Sequence, residues 1–321
     1  MRSEQLYSED ASQQFYDEPY TQGYMDEWPL EKKQRVFEVL KGLDLPGRGE
    51  ALDFGCGNGV FTEVLRQALP GWKVYGTDIS PVAVGHAAER VPGCVFFDQS
   101  DGALAGSKFD FLFTHHVLEH VYNLQDVWGQ VTGFLKSQSA MLHILPCGNE
   151  GSLEHKICAL RTDGINAAME NRFFYEDTGH VRRMTTSQFR AMAGEAGFQL
   201  VEEYYSNQHD GAVDWITQNE PAFVLALTDP SKARDEGGRR ELSAIRRRLL
   251  VASVLRNLRS RVRGFRGGRM SAKAWAGLIA GLPLYPASSL LDASIRRKSQ
   301  AEWEGRKTDP AGSEMYLYFK R

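Results

Sequence analysis

Ala51-Leu52-Asp53-Phe54-Gly55-Cys56-Gly57-Asn58-Gly59 carries an apolar strand straight into three alternating glycines, and Val60-Phe61-Thr62-Glu63-Val64-Leu65 opens a helix directly behind them. Glycines let the chain turn sharply and let a ligand approach the main chain, while the first turn of the helix offers unpaired N–H groups. Val74-Tyr75-Gly76-Thr77-Asp78-Ile79 reads as the second strand of the same βαβ unit and ends in an acid suited to a ribose diol.

The dinucleotide fingerprint asks for Gly-x-Gly-x-x-Gly, but Phe61 and Thr62 follow Gly59 here. Asp53, at the strand tip before the glycines, would repel a pyrophosphate and suits a cationic ligand without phosphate. The loop therefore points away from NAD and towards S-adenosylmethionine, whose sulfonium and ammonium groups are positive.

Further matches follow in order along the chain: Gly76-Thr77-Asp78-Ile79-Ser80, Phe109-Asp110-Phe111-Leu112-Phe113, Val117-Leu118-Glu119-His120-Val121 and Leu142-His143-Ile144-Leu145-Pro146. With the glycine loop, these resemble the class I S-adenosylmethionine-dependent methyltransferases, and within them the ubiquinone-pathway O-methyltransferase-like branch. The resemblance implies a Rossmann-like α/β fold, a seven-stranded mostly parallel sheet with helices on both faces, and methyl transfer to an oxygen or nitrogen of a small or lipid-linked metabolite. It further implies that Asp53 and the Gly55-Cys56-Gly57 backbone hold the amino-acid end of the cofactor and that Asp78 takes the ribose hydroxyls. Ile79 then packs on the adenine, and Asp101, or Asp98 three residues before it, accepts the exocyclic amine.

A hydroxyl or amine acceptor must lose a proton, and imidazole is the natural base near neutral pH. His115 and His116 end the fourth strand facing the cofactor. His180 lies in the long connection that walls the acceptor pocket, so His116 and His180 are the catalytic candidates and His115 a cofactor contact. His155 is weaker, and His143, in mid-strand, reads as structural. The spacing His116-x-x-Glu119-His120 also invites a metal and is similar to the metal-dependent methyltransferases of small-RNA ends. Those carry a glutamate where His116 stands, and no metal is expected here. A further alternative is a non-catalytic S-adenosylmethionine-binding regulator or scaffold.

The strand-helix alternation runs through 51–54, 74–79, 95–97, 109–113 and 140–145, with a sixth strand starting at Phe198 and a last one at Met315-Tyr316-Leu317-Tyr318-Phe319. So long a gap between the last two strands is no plain loop. The expected organisation is an acidic, aromatic N-terminal segment (1–29), a core (30–225), a mainly helical insertion (226–311) and the final core strand (312–321). From Ser231 to Gln300 there are seventeen Lys and Arg against four Asp and Glu, a net of +13 in a chain whose total is −3.

Leu242, Ile245, Leu249, Ala252 and Leu255 recur at helical spacing, while Arg239, Arg246, Arg247, Arg256, Arg259 and Arg263 crowd the other side. An uncharged run, Ala274 to Leu291, follows and is interrupted by Pro283 and Pro286, which argues against a spanning helix. Residues 231–300 either pack on the core as a lid or contact an anionic membrane surface. A nucleic-acid partner is disfavoured, because no aromatic stacking motif accompanies the arginines. The start Met1-Arg2-Ser3-Glu4-Gln5 carries no secretory pattern, and the four cysteines form no C-x-x-C pair, so the expected location is cytoplasmic, with peripheral membrane contact as the variant. Oligomeric state is not encoded in these features.

Overall fold

The computed structural model describes residues 28–98, 102, 104, 106–177, 179–263, 275, 276, 279 and 282–321, with the side chains of 261–263 excepted. Five parallel strands form the bulk of the sheet: β1 (Glu50–Phe54), β2 (Lys73–Asp78), β3 (Val95–Asp98), β4 (Phe109–His115) and β5 (Leu135–Pro146). Two more, β8 (Gln199–Ser206) and β9 (Glu314–Lys320), complete the order β3-β2-β1-β4-β5-β9-β8, with β9 antiparallel to both its neighbours. A separate ribbon of β6 (Ile165–Asn166) and β7 (Arg172–Phe173) lies in the connection after β5 and was not anticipated.

The sheet is buried because its strands are apolar on both faces. On β9, Tyr316 and Tyr318 join one core with Phe111, Phe113, Leu142 and Ile144, while Met315, Leu317 and Phe319 join the other with Leu112, Met141 and Leu145. Helices α1 (Leu30–Gly42) and α2 (Val60–Ala68) cover the first face. After α3 (Pro81–Arg90), α4 (Leu124–Gly133) covers the second face, together with α6 (Thr186–Glu195), which follows α5 (Leu153–Ala159). Thr185 caps α6 in a reciprocal pair with Gln188, and Gly197, at φ 83°, follows the helix end.

The strand order reverses between β1 and β4, so their carboxyl ends flank a crevice of the kind that binds ligands in open α/β sheets. Register brings Asp78 opposite Asp98 and Asp53 opposite Gly76 and Phe113, at one edge of the sheet.

Between β8 and β9 the chain makes a helical excursion that begins directly after Ser206, ahead of the expected 226: α7 (Asp210–Gln218), α8 (Pro221–Leu227), α9 (Glu236–Arg263) and α10 (Tyr285–Arg306). Ala212, Ile216, Val224, Leu227, Leu242 and Leu249 form its core, shared with Leu153 and Ile157 of α5. Part of the arginine face is buried within the excursion. Arg256 is buried and donates to Asp292 (2.8 Å), to the Asp214 carboxylate (2.7 Å) and to Thr217 (2.8 Å), and Arg259 also pairs with Asp292. An aliphatic stripe alone does not reveal an acid on a neighbouring helix, and Asp292 sits on α10, beyond the long uncharged run. Pro286 lies in the first turn of α10, where a missing N–H costs nothing, so it starts this helix and does not break one.

The excursion docks on the core through α10. Trp303 enters the first core, Arg35 of α1 donates to Ser299 (3.0 Å), and Glu302 accepts from the N–H groups of His209, Asp210 and Gly211 at the start of α7. Among the described residues, no helix is long and apolar enough to cross a membrane.

Candidate active site

The glycine loop is held open by its backbone. Gly55, Gly57 and Gly59 have φ of 77°, 49° and 77°, and a Cβ on Gly55 would lie 2.4 Å from Val117 Cγ2. The N–H groups of Gly55 and Cys56 donate to the Thr77 carbonyl (2.8 and 3.0 Å), which ties the loop to the end of β2. Gly57 N–H donates to Asp78 Oδ2 (2.8 Å), and Ser80 N–H donates to Oδ1 (3.0 Å).

Asp53 is 1% exposed and accepts from the Thr62 hydroxyl at 2.6 Å. Burial, with repulsion from Asp78, overrides that hydrogen bond and raises its pKa to about 7. A buried carboxyl in this state gains most from a neighbouring cation. Ile79, next to Asp78, is half-buried. The Cys56 thiol is buried, and burial pushes its pKa up, so it serves as packing at the loop. Asp101 lies outside the described residues, while Asp98 closes β3 beside Asp78.

At the end of β4, His115 is stacked on Phe61 of α2 with ring centroids 3.7 Å apart, and Trp28 meets both rings edge-on. Burial, with Lys32 and His116 nearby, holds its pKa well below the usual value, so it stays neutral. His116 adopts φ 54°, a left-handed turn that brings its neighbour Val117 against Gly55. Its Nδ1 lies 2.9 Å from Glu119 Oε1 and its Nε2 lies 2.9 Å from Glu314 Oε1. Burial disfavours its charge, but the two carboxylates outweigh burial and raise its pKa. Glu314, the first residue of β9, also pairs with Lys32 of α1 and accepts from Ser206 (2.7 Å) and Tyr316 (2.9 Å). Despite its burial, Lys32 and His116 hold it well below the usual carboxylate range.

His180 arrives from the loop before α6. Its ring sits 4.4 Å from that of His120, and its Nδ1 is 3.2 Å from Glu176 Oε1. Burial opposes its charge, and Glu176 and Glu119 outweigh it, so this pKa is raised too. Glu119 is 1% exposed between His116, His120 and His180, and these imidazoles overcome its burial and bring its pKa down to about 2. The structure thus gathers His115, His116 and His180 around Glu119 and Glu314. It separates His143, which is buried in the sheet and bonded to Thr114 (2.7 Å), and it places His155 beside Phe173.

Sequence reasoning missed Glu314, Lys32, Glu176 and Trp28. An acid opening an otherwise aromatic strand was the one available signal for Glu314.

A seven-stranded sheet of this order, with an acid on each side of a glycine loop at its switch point, defines a class I S-adenosylmethionine-dependent methyltransferase. The methyltransferase-domain family matches residues 23–203, and the chain belongs to that family. Trans-aconitate 2-methyltransferase of Escherichia coli O157:H7 is 24% identical over 198 residues, which are 58% of this chain and 73% of that protein. Among solved structures, a candidate methyltransferase from Bacillus halodurans shows 16% identity over 66% of this chain and 88% of its own, with a TM-score of 0.45. A candidate sarcosine dimethylglycine methyltransferase from Galdieria sulphuraria shows 15% identity over 96% and 97%, also with a TM-score of 0.45.

Proposed function

We propose that the chain methylates an oxygen or nitrogen of a small or lipid-linked metabolite, with His116 taking the acceptor's proton. The observation that carries this reading is the contact between the cofactor loop and the His116 turn: Gly55 has no room for a Cβ because Val117 is there. A base one residue from that contact stands where a methyl acceptor must meet the donor.

S-adenosylmethionine, when bound, supplies a methyl group on a sulfonium that is its own leaving group. The chain's task is to hold and orient. Asp53 and the Gly55–Gly57 backbone receive the amino-acid end, Asp78 the ribose hydroxyls, Ile79 the adenine face and His115 the wall beside Phe61. Trp28, Phe61 and His115 exclude water from the end of β4. His116 acts as base only when neutral; with one N–H left it then donates to one of Glu119 and Glu314, and the other ring nitrogen must turn from its carboxylate to the acceptor. His180 is the second base candidate, since Glu176 fixes its Nδ1 side.

The ubiquinone-like motif set favours a ring hydroxyl as acceptor, and the acceptor named for the trans-aconitate relatives favours a carboxylate. Both are oxygen, which puts O-methylation ahead of N-methylation. The basic helices of 231–300 suit an anionic acceptor or an anionic membrane surface that presents a lipid-linked one. Labelled S-adenosylmethionine incubated with panels of phenols, hydroxy acids and polycarboxylates, followed by mass analysis of the product, tests the reading. Label transfer that His116→Ala abolishes without weakening cofactor binding supports it, and a wild-type chain that fails to bind S-adenosylmethionine in calorimetry refutes it.

A further inference from the structure

We propose that Glu119, His120 and His180 form a binding site for a divalent transition-metal ion next to the methyl-transfer site. The three residues offer two imidazole nitrogens and a carboxylate oxygen, all within 4.8 Å of one another. Glu119 and His120 come from the turn after β4, whereas His180 arrives from a loop sixty positions later in the chain, so the cluster is made by the fold and not by local spacing.

Two further observations point to a ligand. The Glu119 side chain is 1% exposed, and neither of its oxygens has a hydrogen bond of good geometry, although His116 Nδ1 lies 2.9 Å away as an ion-pair partner. His116 meets one of these oxygens, Oε1, while Oε2 keeps acceptor capacity that a bound cation would satisfy. His180, in turn, has the outer support that metal-ligating imidazoles have. Its Nδ1 faces Glu176 at 3.2 Å, and Glu176 is itself fixed by Arg183 at 2.6 Å and by the Phe173 N–H at 2.7 Å. A carboxylate on one ring nitrogen sets the tautomer and directs the other nitrogen to the ion.

Two nitrogens and one oxygen suit zinc, cobalt, manganese or iron in the divalent state better than magnesium or calcium, which favour all-oxygen sets. Three protein ligands leave at least one position open. On the methyl-transfer reading, and resting on it, that position takes an acceptor oxygen and lowers its pKa, which places the acceptor among molecules with a hydroxyl or carboxylate able to bind a metal. His180 is then a ligand, and His116 is left as the base. This departs from the absence of metal expected from the sequence.

The test uses the full chain, stripped with a chelator and titrated with cobalt(II) alone, then with zinc(II) as competitor, while S-adenosylmethionine binding is measured in parallel. One cobalt ion per chain is expected, with visible d–d bands that zinc abolishes. His120→Ala and His180→Ala should each remove those bands, Glu176→Gln should weaken binding by about tenfold to a hundredfold, and the exposed His209→Ala should change nothing. Native circular dichroism for the variants shows that they fold. A wild-type chain that binds S-adenosylmethionine but neither metal overturns the site, as does metal binding that survives both histidine variants. Metal binding without S-adenosylmethionine binding would count against the methyl-transfer reading alone.

Discussion

Cofactor binding should release a proton from Asp53. Its pKa of about 7, against an ordinary 3.8, reflects burial and the nearby Asp78 carboxylate. That difference corresponds to roughly 4 kcal/mol against the anion in the ligand-free chain. The sign follows from the raised value: the folded chain holds a proton that the unfolded chain has lost, so this carboxyl supports the ligand-free fold below about pH 4. That support fades as pH rises through 7. A cation bound at Asp53 reverses the preference. Affinity for S-adenosylmethionine should therefore rise with pH and be about tenfold weaker at pH 6 than at its plateau. Calorimetry from pH 5.5 to 7.5, in buffers of different ionisation enthalpy, measures both the affinity and the protons released. The range stops there because a ligand amine itself titrates at about 7.7–8.0. Asp53→Asn should bind more weakly and without this slope. A flat wild-type profile, or the same slope in the Asn variant, would refute the assignment of the ammonium group to Asp53.

Three other outcomes are expected. Methyl transfer should increase with pH through a value above the usual 6.5 of histidine, because the raised pKa of His116 keeps it protonated below that point; a pH–rate profile on an identified acceptor checks it, and His116→Gln should remove that limb. Gly55→Ala should cost about 2–4 kcal/mol in urea unfolding, from the left-handed φ together with the 2.4 Å approach to Val117, and adding Val117→Ala should restore part of the loss. Arg256→Ala removes the cation shared by Asp292 and Asp214, while Arg259 and Arg296 stay beside Asp292, so stability should fall by about 1.5–3 kcal/mol, with S-adenosylmethionine affinity at the wild-type level.

What the sequence revealed is what lies close together along it. The glycine loop, Asp53 and Asp78 fall within one βαβ unit, so their spacing singles them out as a group, and the resemblance supplied their proposed roles. Apolar alternation also placed β9 at 315–319. The parts that escaped depend on pairing across the fold. Glu314 meets His116 only because β9 inserts beside β5, and no local pattern distinguishes it from a solvated strand end. Arg256 carried the signature of an exposed helix face, and only α7 and α10, packed on that face, turned it inward. The short helices α7 and α8 were absorbed into the core region because they precede the charge shift by which the excursion was delimited.

One run of buried charges crosses the site, and its arrangement bears on how the excursion is tied to it. Lys32 pairs with Glu314, Glu314 with His116, and His116 with Glu119. On the far side of the imidazole cluster His180 pairs with Glu176 and Glu176 with Arg183, whose guanidinium donates to the carbonyl of Ser313 (2.8 Å), the residue before Glu314. The circuit closes at the point where the helical excursion re-enters the sheet. Buried ion pairs add little net stability and are strongly destabilising when one partner is lost, so this circuit is poorly explained as a device for holding the fold together. It does fix His116 and His180, the side chains to which the proposed function gives proton removal. Because Glu314 and Ser313 both belong to the return strand, the position of the excursion's last residues sets the partner of His116 Nε2. The helices after β8 are therefore coupled to His116 by one strand end, whatever surface they present to an acceptor or a membrane.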